Sequence, residues 1–249
     1  MHHSQRLLEK VYSAKSGHPP LTGSQAQQLS VCLKEDRRNY VYSALVSYGG
    51  AIQALLKSGQ SWPLVQCYYS VFYSLRALLA SSGIAVFYIG KSPFWVRATS
   101  GYSPKKSSGT THSMVVTLFG QQVANSVLLS QQIAYQDAPN WLMGLRESAN
   151  YRNGRFPDPN WSTPFPYVEK IGVRRLLSTY INDSLTQYPF DEDHAALAFP
   201  LLAIREALRG CADAIQADEE LMGQPGPLGF FSQPRIGRTT FSAASGVPL

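Results

Sequence analysis

The chain has 249 residues and a formal net charge of +6, and only 15% of its residues are charged, against about 25% in an average soluble protein. Aromatic residues make up 12% of it, and a weakly charged, aromatic-rich chain of this length buries a sizeable core, which excludes wholesale disorder. No apolar run reaches the roughly 20 residues that cross a bilayer, no secretory signal is evident, and the three cysteines form no CxxC pair. We therefore expect a cytoplasmic protein with no membrane contact, no metal and no cofactor.

The charges are distributed unevenly along the sequence. Residues 37–136 contain eight Lys and Arg and no Asp or Glu, whereas residues 191–220 contain eight acidic residues and two basic ones. This asymmetry indicates a polyanionic or acidic partner, or else an acidic segment that neutralises the basic body within one fold or across a dimer. Catalysis by paired carboxylates or by two metal ions cannot be drawn from residues 37–136, because the groups are absent.

Helical periodicity covers most of the first half. Pro and Gly at 16–24 separate a short N-terminal helix from one that Ser24 can cap, and apolar residues recur at helical spacing over 36–56. Gly49 and Gly50 lie inside that helix, where two glycines cost about 2 kcal/mol relative to alanine, and such a pair indicates a close neighbour. Residues 63–82 are the most apolar helix, with Pro63 in the first turn and Gly83 as the stop.

The second half continues in the same way. Residues 84–109, which are basic and rich in Gly, Ser and Pro, are expected to form a long excursion between helices. Further helices are predicted after Thr110 or Thr111, from about residue 139 to 151, over 167–182 and over 190–221, where Pro200 should kink or split the last one. Asp191 and the two acidic residues after it, which precede His194, are expected to cap that helix and not to bind a metal.

These patterns predict an all-α fold, an up-down helical bundle with a C-terminal helical extension and a Gly/Pro-rich tail. The predicted units are an N-terminal helical arm (1–36), the bundle (37–154), the extension (155–222) and the tail (223–249). The tail has no acidic residue and many Gly and Pro, so we expect it to be flexible or to lie on a partner.

Three segments, taken in order, resemble motifs of one family. Residues 66–79 (QCYYSVFYSLRALL) are similar to the central helix of the HEPN superfamily, residues 111–120 (THSMVVTLFG) to its next helix, and residues 145–151 (LRESANY) to the end of its last bundle helix. The resemblance covers roughly residues 37–154 and implies a HEPN-like bundle that pairs as a homodimer. It also implies the setting of an antiviral defence or toxin–antitoxin assembly.

Catalytic members of that family are metal-independent ribonucleases with an Arg followed a few residues later by a His, at a dimer interface. Arg146 matches the Arg, but Tyr151, Arg152 and Asn153 stand where the His would be. Tyr and Arg are poor bases at neutral pH, because their pKa values lie near 10 and above 12. We therefore expect a non-catalytic HEPN-like subunit that acts by binding a protein partner, with RNA as a further candidate partner. The alternative is a metal-independent endoribonuclease that uses Arg146.

The candidate site follows from this resemblance. Arg146 and Tyr151 are the catalytic candidates if the protein is an enzyme, with Arg146 as a bidentate phosphate clamp and Tyr151 sharing its pocket or stacking on a base. The other candidate RNA-binding residues are Asn150, Arg152, His112, Lys105, Lys106 and Arg97. The structural alternative is that Arg146 and Tyr151 make a buried contact that fastens the last bundle helix.

Arg76 raises a separate question, because it lies in the middle of the most apolar helix, on one face with Tyr69 and Tyr73. A charge in that position should be paired or should point into a cleft. Glu35 and Glu147 are conceivable partners.

Overall fold

A computed structural model describes residues 2–12, 17–57, 61–149 and 164–211. The α-helices and β-strands, in chain order, are α1 (His3–Val11), α2 (Gly23–Leu55), α3 (Ser61–Ser81), β1 (Ile84–Ile89), β2 (Ser92–Arg97), β3 (Lys105–Lys106), α4 (Thr111–Gln122), β4 (Gln132–Ile133), β5 (Gln136–Asp137), α5 (Ala138–Glu147), α6 (Val168–Ile171), α7 (Val173–Ile181) and α8 (Glu192–Arg209). Short 3₁₀ turns lie at Val127–Leu129 and Tyr188–Phe190. The fold is mostly helical, as the sequence predicted at this coarse level.

Helix α3 is the centre of the larger core. It packs against α2, α8, α4 and α5, and its side chains Leu64, Tyr68 and Leu75 are almost completely buried. The predicted close approach at the glycine pair is confirmed at Gly50, where an added Cβ would lie 2.5 Å from Nε2 of Gln66. At Gly49 no atom lies within 4 Å of an added Cβ. Of the two glycines, only Gly50 is therefore required by a close neighbour.

A three-stranded antiparallel sheet, in the order β1–β2–β3, occupies the segment that the sequence analysis expected to be an excursion between helices. The purely all-α prediction is wrong here. Two six-residue strands are joined by a two-residue turn that begins at Gly90, whose φ is +61°, the conformation that such hairpin turns require of glycine. Alternate apolar side chains of this sheet form a second core with α1 and the first half of α2.

Helix α1 is held in place by a side chain of α2. Asp36 is completely buried, and its carboxylate accepts hydrogen bonds from the backbone N–H of His3 (2.7 Å), the backbone N–H of Ser4 (2.9 Å) and the Ser4 hydroxyl. The residue before α1, His2, makes no side-chain cap. Asp36 therefore supplies from a neighbouring helix the acceptor that an N-cap residue supplies locally.

Several predicted boundaries are displaced. Helix α2 begins after Thr22, whose side chain forms a capping box with Gln25, and it is continuous through residue 36, where the predicted N-terminal arm ends. Gly172, with φ of +85°, divides the predicted 167–182 helix into α6 and α7. Helix α8 is not split at Pro200. Among the described helices, none combines the length and apolarity needed to cross a membrane.

Candidate functional site

One face of α3 remains half-buried while the rest of the helix is in the core. Gln66, Tyr69, Tyr73 and Arg76 follow one another at intervals of three or four residues, and each is half-buried, so they form a continuous row along the helix. Trp62 begins this row and is 56% exposed. We call these five residues the α3 row. A row of aromatic rings that ends in a cation is chemically suited to stacking on bases and to binding an anion.

Two of the predicted site residues, His112 and Arg146, lie beside this row. His112 lies in the first turn of α4, where Thr110 caps the helix by accepting a hydrogen bond from the backbone N–H of Ser113. Its Nδ1 lies 2.9 Å from the Tyr68 hydroxyl. The guanidinium carbon of Arg146, in the last turn of α5, lies 5.4 Å from the centroid of the Tyr68 ring and 5.9 Å from that of Tyr69.

The Arg146–His112 cluster, with the Tyr68 and Tyr69 rings, is thus assembled from three helices. Arg146 is buried, with 7% of its surface exposed, whereas His112 and Tyr69 are half-buried. The prediction that Arg146 and His112 share a site is consistent with this geometry. The buried stacking of Arg146 on two tyrosines equally fits the structural role considered for it, that of fastening α5.

The electrostatics of the cluster keep the imidazole neutral. Burial lowers the pKa of His112, and the positive charges of Arg146 and Arg76 lower it further. Burial raises the pKa of the Tyr68 hydroxyl, so this group stays protonated at neutral pH. A neutral imidazole beside a guanidinium is a group that can accept a proton.

Arg76 lies at the other end of the α3 row. Its guanidinium carbon is 4.4 Å from the centroid of the Tyr40 ring and 5.9 Å from that of Phe72, and one of its nitrogens is 3.3 Å from Nε2 of His2. Burial lowers the pKa of His2 to about 4, with the Arg76 charge as the next cause, so His2 is neutral beside the guanidinium at pH 7. Neither carboxylate suggested by the sequence is the partner of Arg76.

Both of those carboxylates are accounted for otherwise. Glu35 forms a surface ion pair with Arg38, at 3.2 Å between Nη1 and Oε2. Glu147 is half-buried at the end of α5 and raises the pKa of His112, against the larger lowering by the arginines. Within the described residues, Arg76 forms no ion pair with a carboxylate.

The remaining predicted RNA-binding cations lie on the sheet. Lys105 and Lys106 are exposed on β3, and the Lys105 ammonium lies 5.2 Å from the Trp95 ring and 5.4 Å from the Tyr102 ring. Arg97 donates a hydrogen bond of 2.7 Å to Oε1 of Gln122. Gln122 ends α4 and His112 begins it, so Arg97 is about 15 Å along that helix from the cluster. The structure therefore places Arg97 away from Arg146 and His112.

Three further predicted site residues, Asn150, Tyr151 and Arg152, lie outside the described residues. Their proposed roles stay predictions.

His194 and the acidic residues before it have structural roles at the start of α8. Asp191 caps α8 by accepting a hydrogen bond from the backbone N–H of Asp193. The imidazole of His194 stacks on Tyr167 with centroids 4.5 Å apart, and its Nδ1 lies 2.8 Å from the Tyr180 hydroxyl. In the described part of the chain, no group of three or more His, Cys, Asp or Glu side chains is arranged to hold a metal ion.

Two residues that the structure places in this region, Asp36 and His2, had no predicted role. Asp36 could have been singled out, because Leu29, Leu33, Asp36 and Tyr40 share one helical face and a carboxylate on an apolar face indicates a buried partner. No sequence signal identifies His2, because its contact with Arg76 depends on how α1 packs against α3.

No protein-family model matches the chain, and no curated protein or solved structure is significantly similar to it.

Proposed function

We propose that this chain is a HEPN-like, non-catalytic subunit of a defence or toxin–antitoxin type assembly, and that the Arg146–His112 cluster binds the backbone of single-stranded RNA. The observation that carries the RNA part is the convergence of Arg146 and His112, from two helices, beside the aromatic face of α3. The guanidinium supplies a charged donor for a phosphate, and the half-buried Tyr69 supplies a ring on which a base can stack.

The charge distribution supports the same proposal. The helix that carries Tyr69 and the helix that carries His112 both lie within the stretch 37–136, which has no carboxylate. A phosphate that approaches this surface meets few acidic side chains, of which Glu147 is the nearest in sequence to Arg146. A surface of this kind attracts polyanions, and its binding should weaken with salt.

The experiment is a fluorescence anisotropy titration of a labelled, unstructured oligouridine at several salt concentrations. Tyr69→Ala removes a stacking ring, and because stacking contributes about 1–3 kcal/mol per base, we expect Kd to rise by about tenfold. Tyr42→Ala is the matched control, since Tyr42 is a 50% exposed tyrosine on α2, away from the cluster. Circular dichroism of both variants establishes that the helices are retained.

Two results would contradict this proposal. One is the absence of salt-dependent RNA binding by the wild-type protein. The other is an equal affinity of the Tyr69→Ala and Tyr42→Ala variants, which would place the RNA elsewhere.

A metal-independent ribonuclease is the second candidate function, and one observation favours it. The His that the family motif carries shortly after its Arg is absent from the sequence, but His112 lies in space beside Arg146 and is neutral at pH 7. In that role His112 would accept the proton of the 2′-hydroxyl as its oxygen bonds to phosphorus, and Arg146 would stabilise the negative charge that develops on the phosphate. The bond from phosphorus to the 5′-oxygen would break, water would protonate that oxygen, and a 2′,3′-cyclic phosphate would remain.

This candidate is tested by incubating the protein with RNA in EDTA, which removes metal-dependent contaminants from consideration. Cleavage should disappear in His112→Ala and persist in Tyr135→Ala, a variant of a 97% exposed tyrosine. If the wild-type protein does not cleave RNA, the ribonuclease candidate fails and the non-catalytic proposal stands.

The assembly part of the proposal has its own tests. Family members pair through the bundle, so light scattering at micromolar concentration should give the mass of a homodimer. A monomer would count against it. For the protein partner, deletion of residues 223–249 should abolish co-purification with that partner, and unchanged co-purification would remove the tail from the proposal.

A further inference from the structure

We infer that Arg76 is a second phosphate-binding residue and that the α3 row carries the RNA strand between Arg76 and the Arg146–His112 cluster. The inference rests on the function proposed above, because it extends the RNA from one anion site to a second. It assigns a specific role to a cation that is half-buried on α3 and forms no ion pair with a carboxylate of the described residues.

The first support is the alignment of the three groups. Phe72 contacts His112 on one side, with ring centroids 4.5 Å apart, and Arg76 on the other, at 5.9 Å. Tyr68, one turn earlier on α3, contacts both His112 and Arg146. The order along the helix is therefore Arg146, His112, Arg76, which is a line of two guanidiniums with a neutral imidazole between them.

The second support is charge. Asp36 is close enough to raise the pKa of His2 and of Tyr40, two residues that Arg76 contacts. Its oxygens already accept three hydrogen bonds from the start of α1. Arg76 instead stacks on Tyr40 and contacts a neutral imidazole. A guanidinium has five N–H donors, so those contacts leave donors for a phosphate.

The third support is distance. Seven residues separate Tyr69 from Arg76 on α3, which is about 10 Å along the helix axis. That length corresponds to roughly three nucleotides at the 3.4 Å rise of a stacked strand. Tyr73 lies between the two ends, half-buried, where it can stack on an intervening base. An RNA with a single phosphate therefore reaches one guanidinium, and a longer one reaches both.

The test compares the dinucleoside monophosphate UpU, which has one phosphate, with the pentanucleotide UpUpUpUpU, whose four phosphates span three rises of about 3.4 Å. Binding of each is measured by isothermal titration calorimetry over a range of salt concentrations, with the wild-type protein, Arg76→Gln, Arg76→Lys and Arg174→Gln. Arg174 is an exposed cation on α7 and serves as the charge-matched control. Thermal unfolding by circular dichroism identifies any loss of fold, and Arg76→Lys keeps the charge if Arg76→Gln is unstable.

We expect the wild-type protein to bind the pentanucleotide with a steeper salt dependence than UpU. Arg76→Gln should lower the slope of log K against log salt by about 0.7, the value for one phosphate contact on a single strand, and should weaken pentanucleotide binding severalfold. Its affinity for UpU should be unchanged, and Arg76→Lys and Arg174→Gln should keep the wild-type slope.

Two outcomes would overturn the inference, and they differ in what they leave standing. If the wild-type protein binds the pentanucleotide and Arg76→Gln has the same slope and affinity, Arg76 is not a phosphate contact but the proposed RNA site remains. If the wild-type protein binds neither RNA, the proposed function fails and the role of Arg76 fails with it.

Discussion

Asp36 is the residue whose substitution should have the clearest effect on stability. Asp36→Ala removes the acceptor of three hydrogen bonds at the start of α1 and puts no other acceptor in its place. Ser4 is almost completely buried, so water does not readily replace the lost partner of its backbone N–H. The N-cap residue itself does not supply this acceptor, since His2 makes no side-chain hydrogen bond to the helix.

The magnitude follows from these contacts. A buried donor left without an acceptor costs about 1–3 kcal/mol, and the loss of an N-cap costs about 1 kcal/mol. We therefore expect Asp36→Ala to lower the free energy of unfolding by about 3 kcal/mol. For a chain of this size that corresponds to a fall in Tm of roughly 6–12 °C. If α1 instead detaches from the rest of the protein, the fall in the free energy of unfolding is limited to the contribution from the burial of Leu8 and Tyr12.

The assay is urea denaturation followed by circular dichroism, together with hydrogen exchange of the α1 amides. Glu35→Ala is the matched control, because Glu35 is the neighbouring acid in an exposed ion pair with Arg38, and such pairs contribute about 1 kcal/mol or less. A loss below about 1 kcal/mol in Asp36→Ala, with α1 still protected from exchange, would refute the assignment of Asp36 as the cap of α1.

Further predictions concern the helices around the site. Gly49→Ala should raise the free energy of unfolding by about 1 kcal/mol. Gly50→Ala should raise it by less, because the added Cβ has to displace the Gln66 amide. Urea denaturation of the two variants checks this difference. Thr110→Ala should lower the same quantity by about 1 kcal/mol, since it removes the N-cap of α4. RNA affinity should rise as the pH falls from about 7.5 to about 5.5: the lowered pKa keeps His112 neutral in the free protein, and a bound phosphate favours its protonated form. Anisotropy titrations of His112→Gln should lack that pH dependence, and an identical dependence in the variant would contradict it.

The local elements were largely predictable because they depend on signals between near neighbours in the sequence. The stop at Gly83, the cap at Thr110 and the start of α3 near Pro63 all follow from backbone preferences, and the structure has each of them. The β1–β2 hairpin was missed although its signal is also local. Two apolar runs flank Gly90 and Lys91, and the composition of the whole segment obscured that pattern.

The sequence by itself determined a mostly helical chain, a central apolar helix and a carboxylate-free body, because periodicity and composition are properties of consecutive residues. The meeting of Arg146 with His112 was anticipated only through the family resemblance, and the positions of Arg76, His2 and Asp36 only the tertiary structure decided. Each of these contacts joins residues more than thirty positions apart. Such contacts depend on the order in which helices pack around α3, and that order is fixed by the sum of many side-chain contacts and not by any short motif.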